Sequence, residues 1–107
     1  MQDEVVMKQY LNNEQTAKLL ELGFEKPKSI VGHDGYWGYD YAYSIGELIE
    51  MLPPRYNHED LEINRDWRFE RWLVFYRGDD TTAATELIDA LYEMILQLKE
   101  EGVYEKI

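Results

Sequence analysis

Apolar and polar residues alternate along this chain in a few clean periods, and the longest runs from Thr82 to Gly102, TAATELIDALYEMILQLKEEG. Within it Ala84, Leu87, Ile88, Leu91, Ile95 and Leu98 recur at three-and-four spacing, which places them on one face of a helix of about five turns. Glu86, Asp89, Glu93, Gln97 and Glu100 take the opposite face. Thr82 is placed to cap the first turn, and Gly102 to adopt the left-handed conformation past the last. A rod with one apolar side must lay it on something, and the apolar stretch just before it is the nearest floor.

That stretch reads as a hairpin. In Asp60 to Arg65, Leu61 and Ile63 point one way and Glu62 and Asn64 the other. In Glu70 to Arg77, Trp72, Val74 and Tyr76 share a face, but Leu73 and Phe75 make the other face apolar too. A strand apolar on both sides is covered twice or meets a partner. The short link Asp66-Trp67-Arg68-Phe69 predicts antiparallel pairing, and Gly78-Asp79-Asp80 turns the chain toward the final helix.

Upstream the signals are caps and stops. Asn12 and Gln15 resemble a capping box and open a helix over 13–22, with Thr16, Ala17, Leu20 and the trailing Phe24 on one side. Gly23 ends it and Pro27 prevents its resumption. Ser44 and Glu47 form a second capping box, starting a short helix striped by Ile45, Leu48, Ile49 and Leu52 and stopped by Pro53-Pro54. Between the two helices, residues 25–43 are dense in glycine, tyrosine and tryptophan, and Tyr39, Tyr41 and Tyr43 alternate as in a short strand. Residues 1–11 keep neither period and predict a packed arm or a short helix. The expected architecture is one α+β domain over 1–107. It has a small antiparallel sheet, the 60–77 hairpin with a candidate third strand near 39–43, packed by three helices of which the C-terminal is longest.

Three pieces of this pattern occur together: LLELGF (Leu19 to Phe24), AYSIGELIEMLP (Ala42 to Pro53), and a tryptophan-bearing hairpin followed by ATELIDALYEMILQLKEEGV (Ala84 to Val103). The combination resembles small uncharacterised proteins encoded by phages and mobile elements of gut Bacteroidetes. The likeness covers most of residues 13–103 and is carried by caps, stripes and turn residues. It implies a shared fold and a mobile-element setting, and it implies no catalytic residue.

Composition narrows the functional classes. With 45% hydrophobic and 14% aromatic residues in 107, the chain is rich enough in apolar groups to fold despite its charge. The absence of cysteine excludes disulfides, thiolate metal sites and thiol nucleophiles. The start, MQDEVVMK, lacks the basic-then-apolar order of a secretory leader. The longest apolar run, Trp72 to Tyr76, is far short of the ~20 residues of a membrane helix. A cytoplasmic protein with no membrane partner is expected. A net charge of −11 disfavours direct nucleic-acid binding and points to a partner protein with a basic surface.

Candidate chemistry is thin. Histidines meet carboxylates only at His33-Asp34 and His58-Glu59-Asp60, Ser29 and Ser44 are the only serines, and Ser44 is better used as a cap. No metal-ligand spacing is present, and GHDGYWG lacks the Lys-Ser/Thr of a phosphate loop. No enzyme, metal or cofactor is therefore expected. Surfaces are more informative. Tyr36, Trp37, Tyr39 and Tyr41 form a candidate recognition loop, since Tyr and Trp dominate binding hot spots; the plain alternative is that they roof the core. Leu73, Phe75, Tyr92 and Leu96 lie off the expected core faces and form a candidate partner or homo-oligomer surface, with a two-fold dimer the simplest form. Glu86, Asp89, Glu93 and Glu100 form a row of like charges with no lysine or arginine among them. The expected function is a protein-interaction module, with an acidic DNA mimic as the alternative.

Overall fold

The computed structural model describes residues 7–33 and 39–105; of 30–33, 39, 40 and 105 it describes the backbone only. The fold is α+β: among the described residues there are three helices and a four-stranded antiparallel sheet, and the C-terminal helix is the longest at 14 residues. In chain order the elements are α1 (Asn13–Glu21), β1 (Ser29–His33), β2 (Tyr39–Ala42), α2 (Ile45–Met51), β3 (Arg55–Tyr56), β4 (Glu59–Asp66), β5 (Arg71–Tyr76), β6 (Thr81–Ala84), α3 (Leu87–Glu100) and a 3-10 turn, Val103–Glu105.

Local chemistry sets the boundaries of α1 and α2. Both begin with a complete capping box, Asn12 with Gln15 and Ser44 with Glu47. Helix α1 ends in a Schellman motif: Gly23, at φ 98°, donates to Leu20 O, and Phe24 donates to Leu19 O. Helix α2 ends where Leu52 turns extended ahead of Pro53. The buried face of α1 is turned from the expected one: Thr16 and Leu19 are inside, while Ala17 and Leu20 are exposed. Of the expected face Thr16 and Phe24 do turn to the core, and Leu19, three residues after Thr16, takes the place expected for Ala17 and Leu20.

Helix α3 begins later than its periodicity predicts. Residues 81–84 are strand β6, paired with β5 from Phe75↔Thr81 to Trp72↔Ala84. Thr82 is no cap. It is buried, and its hydroxyl donates to Ala90 O at 2.8 Å, fastening β6 to the helix above. Ala84 matches the helical period by coincidence, and the β-branched Thr81-Thr82 pair favours the strand. The strand near 39–43 also forms, but it pairs with β1 in a separate two-stranded ribbon rather than joining the main sheet.

In the main sheet, ordered β3-β4-β5-β6, the β4–β5 register runs from Leu61↔Tyr76 to Asp66↔Arg71. Alternation places Leu61, Ile63, Arg65, Trp72, Val74, Tyr76, Thr82 and Ala84 on one face. Helix α3 packs there. Val74, Tyr76, Leu91 and Ile95 are wholly buried in one core, with Trp72 at its margin, and α2 packs on α3. The expected floor under Leu91 and Ile95 is thus the observed one. Residues 7–11 form a packed arm: Leu11 N–H donates to Tyr43 O, and Gln9 O accepts from Ile45 N–H. The Cα extents, 46 × 45 × 17 Å, are those of a slab.

Candidate functional site

The sheet's second face carries Glu62, Asn64 and Asp66 on β4, Arg71, Leu73 and Phe75 on β5, and Thr81 and Ala83 on β6. Leu73 and Phe75 are half-buried at its centre, and the described helices pack on the other side. This agrees with the expectation that they lie off the core.

The same face leads to the turn joining β4 to β5, residues 67–70. Asp66 organises it: its carboxylate accepts from Arg68 N–H at 3.2 Å and from Arg71 Nε at 3.1 Å. Glu70, at φ 50°, takes the left-handed position that closes the turn. The side chains so presented are Trp67, 77% exposed, and Phe69, 63% exposed, the two most exposed large apolar residues among those described. Guanidinium groups lie against both rings. Arg65 Cζ is 5.0 Å from the Trp67 centroid and 5.5 Å from that of Trp72. Arg71 and Arg68 are 4.9 and 5.7 Å from Phe69. The tip therefore offers rings and cations on a short turn carried by a clamped hairpin, which suits recognition.

The opposite end of the hairpin, about 17 Å away along six residue pairs, has the opposite charge. Asp79 accepts from Asn57 Nδ2, and Glu101 accepts from the Tyr56 hydroxyl at 2.8 Å. That hydroxyl pulls the Glu101 pKa down, but burial and the neighbouring carboxylates of Asp80 and Asp79 outweigh it, leaving the pKa raised. The Tyr56 phenol is pushed up to about 12, first by its bond to Glu101.

The surfaces singled out in the sequence fare differently. Tyr36 and Trp37 lie outside the described residues, and so does Asp34. Tyr39 is in β2 opposite His33, and Tyr41 is 51% exposed beside the exposed Leu20. Tyr92 does not belong to a surface: it is buried in the core, and Leu96 packs against that core. Because the sheet and α2 both pack on α3, its buried arc is wider than the single stripe, and these residues fill the difference. The acidic row is divided. Glu86 accepts from Lys8 N–H, and Asp89 pairs with Lys8 Nζ at 3.2 Å and accepts from Gln15. Glu93 and Glu100 remain exposed.

The candidate catalytic groups that are described are dispersed. Ser44 caps α2, Ser29 donates to Glu47 at 2.6 Å, and His58 is exposed in the turn between β3 and β4. A cleft of about 340 Å³ between α2 and the 3-10 turn is lined by Phe24, Tyr43, Glu47, Met51 and Tyr104 among others. Its Glu47 carboxylate is taken up by Ser29, Lys28 N–H and Ser44 N–H. Among the described residues no group of three His, Asp or Glu side chains is placed to hold a metal ion. No described helix is long and apolar enough to cross a membrane.

Trp67 and Phe69 were missed in the sequence, where the link DWRF served only to set a hairpin. The signal was present: two aromatic residues stand where turn chemistry asks for Gly, Asn or Asp. Comparison of the chain with protein-family models, with curated proteins and with solved structures found no match.

Proposed function

We propose that this chain is a non-enzymatic protein-interaction module whose principal contact is the tip of the β4–β5 hairpin. The observation that carries this reading is the exposure of Trp67 and Phe69, at 77% and 63%, on a turn anchored by Asp66. Large rings held out in water on a rigid support give contact area at low entropic cost, and Trp and Arg are the commonest hot-spot residues. Leu73 and Phe75 extend the apolar surface from the tip along the open sheet face, and Tyr41 adds a further exposed ring. Tyr36, Trp37 and Tyr39 remain candidate contacts on the sequence argument alone. A phage or mobile-element origin belongs to this reading and rests on the resemblance of the capped-helix and hairpin pattern. The acidic-mimic alternative is less favoured, because Glu86 and Asp89 already serve Lys8 and Gln15.

The test is a quantitative pull-down from host-cell lysate with the full chain, wild type beside Trp67→Ala/Phe69→Ala. The reading expects a captured protein that disappears with the double variant while the circular dichroism spectrum is unchanged. A captured protein retained undiminished by the variant would remove the tip from the account.

A further inference from the structure

We infer that the hairpin tip takes an acidic polypeptide segment, whose carboxylates meet Arg65 and Arg68 while its apolar side chains cover Trp67 and Phe69. This rests on the reading that the tip binds a protein, and it adds the chemistry of the partner. Within residues 65–71, RDWRFER, three arginines face two carboxylates, a local charge of +1 in a chain of −11. Arg71 already bonds to Asp66. Arg65 and Arg68 have no carboxylate within ion-pair distance among the described residues. Arg65 lies against two indoles; its Nη1 is buried with no acceptor, so the Nε–Nη2 side is the edge left for a partner. A guanidinium stacked on a ring keeps its N–H edge for planar, two-point bonding to a carboxylate. A basic partner would set like charges against these groups. The chain's net charge of −11 favours basic groups over much of its surface, and the tip is a place where rings and unpaired guanidinium groups can accept acid.

A nucleic-acid strand is the other polyanion to consider. It is disfavoured because the rings at the tip already carry their own guanidinium groups, which compete with bases for stacking. The −11 field also opposes a long run of phosphates more than it opposes a few carboxylates.

The experiment selects random displayed peptides of about a dozen residues against the full chain, then measures the enriched peptides on wild type, Trp67→Ala and Arg68→Gln. The inference expects peptides of net negative charge with apolar residues. Their binding should be lost on Trp67→Ala, weaken about tenfold on Arg68→Gln, and fall as salt rises. Peptides lost on Trp67→Ala but neutral or basic would overturn the inference and leave the tip as a protein contact. Peptides indifferent to Trp67→Ala, or no enrichment, would overturn both. An oligothymidylate strand that binds more tightly than the peptides and is lost on Trp67→Ala would replace the peptide with nucleic acid.

Discussion

Trp67 and Tyr92 show how far a residue's neighbours decide its role. In the sequence Tyr92 is an off-stripe aromatic and Trp67 a turn residue; in the fold Tyr92 is 9% exposed and Trp67 is 77% exposed. Tyr92→Ala should therefore cost about 3 kcal/mol in urea unfolding, and unchanged stability would return it to the surface. Glu101 gives a second test at this scale. Its pKa is raised in the folded protein, so the native state holds this proton more tightly than the unfolded chain does. The stability it contributes is full below the ordinary carboxylate value of about 4.3 and is lost as pH rises through the folded pKa. At neutral pH its charge beside Asp79 and Asp80 opposes folding. Glu101→Gln, which can still accept from Tyr56, should raise Tm at pH 7 by about 2 °C. That gain should vanish below pH 4; a gain that persisted there would refute the charge argument.

At the scale of elements, the caps were legible and the partners of strands were not. Asn12-Gln15, Gly23, Ser44-Glu47, Pro53 and Gly102 mark helix ends through short-range rules, and α1 and α2 start and stop where these residues direct. Thr82 and the tyrosines of β2 misled because the choice of partner is made through space. Thr82→Asp separates the two readings of β6. A helix cap accepts aspartate, whereas a buried strand residue bonded to Ala90 O should lose at least about 3 kcal/mol from the uncompensated charge. Glu47 joins two elements, completing the α2 box while holding Lys28 N–H and Ser29 at the start of β1. Burial works against its ionised form, but the Ser29, Lys28 and Ser44 bonds prevail and lower its pKa. Its contribution is thus present above the ordinary carboxylate pKa and lost as pH falls through the folded one, the reverse of Glu101. Glu47→Ala should cost about 1–2 kcal/mol and speed amide exchange in β1. Exchange there at the wild-type rate would detach the ribbon from α2.

The whole molecule is a slab with α3 packed on one face of the sheet, leaving Leu73 and Phe75 on the other. The hydrophobic period of α3 and the Trp72-Val74-Tyr76 face made this packing legible, because burial of a continuous stripe is the strongest signal a sequence carries. The candidate site was half legible. Leu73 and Phe75 stood out as apolar on the wrong face, but the tip did not, since no periodicity governs a turn. Nor does net charge foretell that three of the arginines gather around two rings at one end of an acidic protein. The account rests on those rings contributing to contact and little to folding. The unfolding free energy of Trp67→Ala/Phe69→Ala in urea tests this directly. A loss of no more than about 1 kcal/mol relative to wild type is predicted, and a loss of about 3 kcal/mol or more, the scale of emptying a core position such as Leu91, would contradict it.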